Sequence, residues 1–182
     1  MRKISAMRKI PAAWNVLALI TGCLLLSSWT AHAAKELLAQ QSIEIDASPK
    51  AVWALVKDYN GVHKWHPAFQ NDVIKSGKNN KRGAIRTLTL QSGESFDEQL
   101  LYWNDQKRYL RYRIVGDSPF PVTDYVSTLA VQKSKTGRTK LTWQGKFKNK
   151  EDSGKTDEEV LEMINGAYKA GLENVKALAE KG

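Results

Sequence analysis

The closing stretch of this 182-residue chain constrains its fold more than any other. Thr156-Asp157-Glu158-Glu159 is a capping box, with Thr156 as the cap and Glu159 reaching back to it. Val160, Ile164, Ala167, Tyr168, Gly171, Leu172, Val175 and Leu178 then recur on one face at helical spacing. That pattern predicts an amphipathic helix of about 24 residues. A helix with one apolar stripe must lay it against another element. Gly166 and Gly171 inside it cost roughly 1 kcal/mol each relative to alanine. Either they are tolerated without a role, or the helix is closely approached or faces a ligand there.

What the helix covers is read from the residues before it. Runs rich in β-branched and aromatic residues predict strands at Asn71–Lys75, Ala84–Leu90, Phe96–Trp103, Tyr109–Val115, Thr123–Lys133 and Thr139–Lys148. The breaks between them are short and rich in turn residues, as in an antiparallel meander. Ahead of them, Leu38–Asp46 alternates as a half-buried strand does. Ser48 reads as an N-cap and Pro49 as the start of a helix. Its apolar face is Ala51, Val52, Leu55 and Val56, and it is expected to stop near Asn60-Gly61. A second short helical or turn segment, Val62–Trp65, ends before His66-Pro67, because the residue preceding a proline is pushed out of the helical region. The expected class is α+β: a curved antiparallel sheet of about seven strands wrapped round a long C-terminal helix, with two short helices after strand 1.

The N-terminus is of another kind. Met1–Lys9 carries Arg2, Lys3, Arg8 and Lys9 and no acid, Ala12 to Trp29 is uncharged, and Ala31-His32-Ala33 follows. This order reads as a secretory signal over residues 1–33, cleaved before Ala34, with residues 34–182 as one domain. Two other fates are open to it. One is a retained membrane anchor, since the stretch approaches the ~20 residues that span a bilayer. The other is lipoprotein processing at Ile20-Thr21-Gly22-Cys23. Cleavage is favoured because its site follows directly, Asn15, Ser27 and Ser28 interrupt the stretch, and the apolar run continues past Cys23.

The whole chain has 28 Lys and Arg against 19 Asp and Glu, a net +9. Four of those cations lie in the signal, so the mature chain keeps 24 against 19, a net +5. It also loses the single cysteine, and with it disulfides, thiol chemistry and Cys-based metal sites. Such a chain fits a bacterial periplasm. Nothing in it points to nucleic acid, and no stable membrane anchor remains after cleavage.

Several stretches resemble the SRPBCC superfamily, the START-like proteins of the polyketide cyclase/dehydrase and lipid-transport type. They are Ile43-Glu44-Ile45-Asp46-Ala47-Ser48-Pro49 with Val52-Trp53, Trp65-His66-Pro67-Ala68, Phe120-Pro121-Val122-Thr123-Asp124-Tyr125, Trp143-x-Gly-x-Phe147 and Tyr168-Lys169-Ala170-Gly171-Leu172. The resemblance implies a helix-grip fold over about residues 38–180. Gly83-Ala84-Ile85-Arg86-Thr87-Leu88-Thr89-Leu90 is similar to an early strand of exported MxaD-type proteins, which are encoded with bacterial methanol-oxidation genes. That likeness implies an accessory to electron transfer between methanol dehydrogenase and its cytochrome.

Candidate chemistry is sparse. There is no nucleophile elbow, phosphate-cradling loop, dinucleotide fingerprint or Cys-x-x-Cys-His haem motif, so no cofactor is expected. His63 and His66 stand at i, i+3 spacing with no third ligand, so no metal site is expected. The resemblance sets His66 beside a cavity opening, where it is either a general acid/base or a turn histidine capping backbone groups. Phe96, Glu98, Leu100 and Tyr102 alternate onto one strand face, and the resemblance turns Glu98 inward. There it needs a partner, Arg86 or Arg113. Together with Glu98, His66 and Arg86, the residues expected to line a site for a small apolar molecule are Trp53, Trp65, Tyr112, Tyr125, Trp143, Ile164 and Tyr168. The favoured reading is a binding or accessory protein. The alternatives are a small cyclase or dehydratase working through His66 and Glu98, and an apolar-ligand carrier unrelated to methanol oxidation. Lysines and arginines gather in turns, at Lys78, Lys81 and Arg82, at Lys133, Lys135, Arg138 and Lys140, and at Lys146, Lys148 and Lys150. Such runs are either a solvated surface or a means of steering an acidic partner.

Overall fold

A computed structural model describes residues 35–181. The export segment expected over residues 1–33 lies outside them. Seven strands form one antiparallel sheet: β1 (Glu36–Ile45), β2 (Phe69–Ser76), β3 (Ile85–Leu90), β4 (Ser95–Asn104), β5 (Tyr109–Val115), β6 (Val122–Lys133) and β7 (Thr139–Asn149). Their order across the sheet is β1-β7-β6-β5-β4-β3-β2. Every neighbour from β2 to β7 is therefore a short sequential connection, and only β1 pairs out of sequence, with β7. The sheet curves round α2 (Asp157–Ala179), as the helix-grip arrangement requires.

Thr156 caps α2 as the sequence pattern implies. Its hydroxyl accepts from the Glu159 backbone N–H, and the Glu159 carboxylate accepts from the Thr156 N–H. Val160, Ile164, Tyr168, Gly171, Leu172 and Val175 form the buried stripe. Ala167 and Leu178, expected on that stripe, are exposed. Ala167 nonetheless lies on the inward face, where it lines the cavity described below and its carbonyl meets His66.

Two further expectations need correction. Helix α1 covers only Pro49–Val56, with Lys57 as its C-cap, and does not reach Asn60. The second short helix is a single 3-10 turn, Val62–Lys64. Side chains explain both. The Asp58 carboxylate accepts from the Asn60 N–H, and the Asn80 carbonyl oxygen accepts from the Tyr59 N–H, so this backbone bonds to side chains instead of a helix. Strand β4 also departs from simple alternation. A bulge between Leu100 and Tyr102 inserts one residue against β5. Phe96, Glu98 and Leu100 face inward as expected, but Tyr102 is turned out, 40% exposed, and Trp103 packs against the core instead.

Candidate functional site

The register of the meander builds a charged cluster first. Arg86 on β3 stands directly opposite Glu98 on β4, both pointing into the space between sheet and α2. Arg86 donates from Nε at 3.0 Å and Nη2 at 2.6 Å, both to Glu98 Oε2. Its Nη1 donates to the Tyr59 carbonyl, and the guanidinium lies 4.2 Å over the Tyr59 ring. Asp72, on β2, has a fully buried side chain and stands 3.8 Å from Arg86 Nη1. Its Oδ2 accepts from the Val62 N–H at 3.1 Å and its Oδ1 meets His63 Nδ1. One guanidinium thus faces two buried carboxylates. Burial works against the Arg86 cation, but the adjacent Glu98 carboxylate holds its pKa above the ordinary value. Burial pushes the Glu98 carboxyl up, against the pull of Arg86.

Beside this cluster lies a cavity of about 90 Å³, several times the roughly 10–15 Å³ one water needs. Its wall is mainly apolar, with Phe69, Leu88, Phe96, Ile114, Phe120 and Ile164 among the lining residues. The far wall is a hydroxyl network from β5, β6, β7 and α2. Tyr125 and Tyr168 hydroxyls are 2.6 Å apart, Tyr168 is 3.2 Å from Ser127 Oγ, and Ser127 donates to the Gln144 carbonyl at 2.9 Å. Trp143 Nε1 donates at 2.9 Å to both Ser127 Oγ and the Tyr112 hydroxyl. Burial pushes Tyr168 up to about 12, and lifts Tyr112 and Tyr125 well above the usual phenol range, so all three hydroxyls keep their protons.

His66 sits between these walls, 3% exposed. Its Nδ1 accepts from the Ala68 N–H and its Nε2 lies 3.1 Å from the Ala167 carbonyl. One proton, on Nε2, satisfies both contacts. Burial pushes the imidazole down to about 4, so it is neutral at ordinary pH. Gly171 makes this seat possible. A Cβ there would stand 2.5 Å from His66 Cδ2 and 2.9 Å from Trp143 Cζ3. Gly145 does the same for Tyr168, whose hydroxyl would be 2.1 Å from an added Cβ. Gly166 meets nothing. Of the two interior helix glycines, one is required by a close approach and the other is not.

The structure gathers His66, Arg86, Glu98, Tyr112, Tyr125, Trp143, Ile164 and Tyr168 around one cavity. It does not bring Trp53 there: that indole packs 6.3 Å from Trp103 and donates to Asp105 Oδ1 at 2.7 Å. Trp65 lies behind the wall, beside a second, smaller cavity of about 10 Å³. Arg113 is on the outer face, donating to Gln99, so Arg86 alone partners Glu98. His63 turns to Asp72 and His66 to α2, and the two do not converge.

Asp72 was the residue missed. On β2 the apolar Val73 is 50% exposed and Asp72 is buried, the reverse of what polarity alternation implies. Phe96 and Phe120 were visible as residues, one on the face of Glu98 and one in the Phe120–Tyr125 stretch, but their convergence was not.

Comparison with known proteins identifies the scaffold. The family described as "Polyketide cyclase / dehydrase and lipid transport" matches residues 37–180. The chain belongs to this family. A Bacillus cereus protein named XoxI is 30% identical with a TM-score of 0.70, over 79% of this chain and 95% of that one. A Thermobifida fusca protein is 26% identical at 0.69, over 79% and 93%. A Nitrosospira multiformis protein, 23% identical at 0.65 over 79% and 96%, shares the fold. No curated protein sequence matches the chain. The description of the polyketide cyclase / dehydrase and lipid transport family suggests hydrophobic ligands, and the cavity here has mainly apolar walls.

Proposed function

We propose that this protein is an exported binding or accessory protein, not an enzyme, that holds a small and largely apolar molecule between the sheet and α2. One observation carries the reading: the cavity is apolar, and the ionisable groups around it are already committed to one another. His66 has both ring nitrogens engaged, so it serves as a clasp between the His66-Pro67 turn and α2. Arg86 is held by Glu98 and the Tyr59 carbonyl. Both Arg86 donations fall on Oε2, which makes Glu98 Oε1 the acceptor available to a ligand's hydrogen-bond donor. Tyr112 accepts from Trp143, and its own proton is the matching donor. The ligand is therefore an apolar body with one polar end. Export to the periplasm is the part of this reading that rests on residues 1–33, and it is tested by the mass of the mature N-terminus.

The finer part concerns the process. The resemblance to MxaD-type proteins supports an accessory role in methanol oxidation, aiding transfer from methanol dehydrogenase to its cytochrome. A chain without a redox cofactor motif would act there by changing how the two carriers meet, not by relaying electrons. Native mass spectrometry of protein taken from its own periplasm is the direct test of binding, with a small apolar mass expected to be released on denaturation. A ligand-free protein that also takes up no apolar probe would sink the proposal. Loss of a turnover activity in folded His66→Ala or Glu98→Gln protein would replace it with the cyclase or dehydratase reading. An unchanged dehydrogenase-to-cytochrome rate, at low and high salt, would remove methanol oxidation and leave ligand binding.

A further inference from the structure

The antiparallel register sorts the turns onto two rims of the sheet, and the two rims differ in charge. The β2–β3, β4–β5 and β6–β7 turns lie together at the rim where β1 ends, and the β3–β4 and β5–β6 turns lie at the opposite one. The turns of the first rim carry Lys78, Lys81, Arg82, Lys107, Arg108, Lys135 and Arg138 with Asp105 as their one acid, whereas the turns of the second carry Glu94 and Asp117. Arg138 is paired with Glu44 at 2.7 Å. The two carboxylates nearest the β2–β3 and β4–β5 turns are already engaged. Asp105 accepts from Trp53 Nε1 and lies 3.6 Å from Lys57, and Asp58 accepts from Asn79 and lies 3.6 Å from Lys64. Among the described residues, Lys78, Lys81, Arg82 and Lys107 have no carboxylate within ion-pair distance. By contrast, Lys146 and Lys148, on β7, are paired with Glu36 and Asp124 at 2.6 and 2.9 Å. The three basic groups seen in the sequence are therefore not equivalent.

The same rim also holds an exposed aromatic residue. The β4 bulge turns Tyr102 out of the core, and its ring is braced edge-on by Tyr109 at 5.5 Å. Beside it runs an open groove of about 530 Å³ lined by Asn80, Lys81, Arg82 and Asn104 as well as Tyr102, with one carboxylate, Asp105, which is held by Lys57 and Trp53. A braced tyrosine with arginine beside it is the residue pairing that anchors protein interfaces, because it supplies area at small entropic cost and a charge-assisted donor.

We propose that this groove docks an acidic segment of a partner protein, with Tyr102 as the apolar anchor and Lys81 and Arg82 binding its carboxylates. Charge complementarity selects the occupant: the groove's unpaired charges are cations, and carboxylates satisfy them. The proposal deepens the accessory reading and rests on it for the existence of a partner, but not on what the cavity binds.

The test uses the purified mature protein and a synthetic peptide of six glutamates ending in phenylalanine, titrated by NMR. Shifts confined to 80–82 and 102–106 are expected. Lys81→Glu with Arg82→Glu should weaken binding at least about tenfold, as should raising salt well above physiological strength, because exposed charges are screened over roughly 8–10 Å. Tyr102→Ala should weaken it with the salt dependence unchanged, which separates the anchor from the charges. Shifts spread evenly over all the basic turns, or charge-reversed protein that binds equally well, would overturn the proposal. So would preferential binding to phosphatidylglycerol vesicles over the peptide, which would make the rim a membrane surface. Uptake of an apolar fluorescent probe by the same variants reports the cavity separately, so docking and ligand binding can fail independently.

Discussion

On the β2–β4 side of the cavity, Asp72, Arg86 and Glu98 carry formal charge in a space closed to solvent. On the β5–β7 side, Tyr112, Tyr125, Ser127, Trp143 and Tyr168 carry none. Both sides pair most of their polar atoms, the buried Tyr59 hydroxyl beside Arg86 being one that is not, but the consequences of failure differ. A buried ion stripped of its partner has lost its solvation and gained nothing in return, so it costs several kcal/mol. A buried hydroxyl that loses one of two hydrogen bonds costs about 1 kcal/mol. The charged side therefore fixes the strand register, because only one alignment of β3 and β4 brings Arg86 opposite Glu98. The hydroxyl side can exchange partners, and it is the wall better able to adapt to a ligand.

The sharpest way to break this comparison is to remove the shared cation. Arg86→Met should destabilise the fold by about 3–5 kcal/mol in urea unfolding, since it leaves Glu98 buried and unpaired and takes the guanidinium from Asp72, which keeps only Val62 N–H and His63. Adding Glu98→Gln should recover part of that loss. A destabilisation no larger than that of a hydroxyl deletion would mean that the two sides are held alike.

The seam between the sides is His66, and pH reads it. Its folded pKa of about 4 lies below the ordinary 6.5, so between those values the unfolded chain binds the extra proton. Its contribution is fully present above pH 6.5 and is lost as pH falls towards 4, at up to roughly 1.4 kcal/mol per pH unit. The buried Glu98, with its pKa raised, has the opposite slope. The difference between wild type and His66→Asn isolates the histidine, and equal slopes in the two proteins would show that His66 is not buried neutral.

The helix glycines sharpen the comparison further. Gly171→Ala should cost about 1–3 kcal/mol by driving a methyl against His66, whose nitrogens hold it in place, and against Trp143. Gly166→Ala should stabilise by up to about 1 kcal/mol, because nothing surrounds that position. Thermal unfolding of the pair gives opposite signs if the clasp is as described. Tyr168→Phe should cost about 1–3 kcal/mol, because Ser127 keeps Gln144 and Trp143 but the buried Tyr125 hydroxyl loses its one partner. A loss as large as that of Arg86→Met would erase the distinction between the two sides.

The sequence by itself determined the element order, since each element has a local cause: the Thr156 capping box, the period of the α2 stripe, Ser48-Pro49 at the start of α1, and turn residues between strands. It also named about half of the residues that line the cavity, the inward turn of Glu98 among them coming from the family resemblance and not from alternation alone. What the tertiary structure alone decided lies where local pattern and packing disagree. Asp72 is inside and Val73 outside because Val62 N–H, His63 and Arg86 need a carboxylate there, and those partners come from the 3-10 turn and from β3. Tyr102 is outside because of a bulge that only pairing with β5 creates. Gly171 is required and Gly166 is not, because the helix period does not record what approaches from the opposite layer. In each case the deciding contact joins residues on different elements, and the periodicity within any one element does not record it.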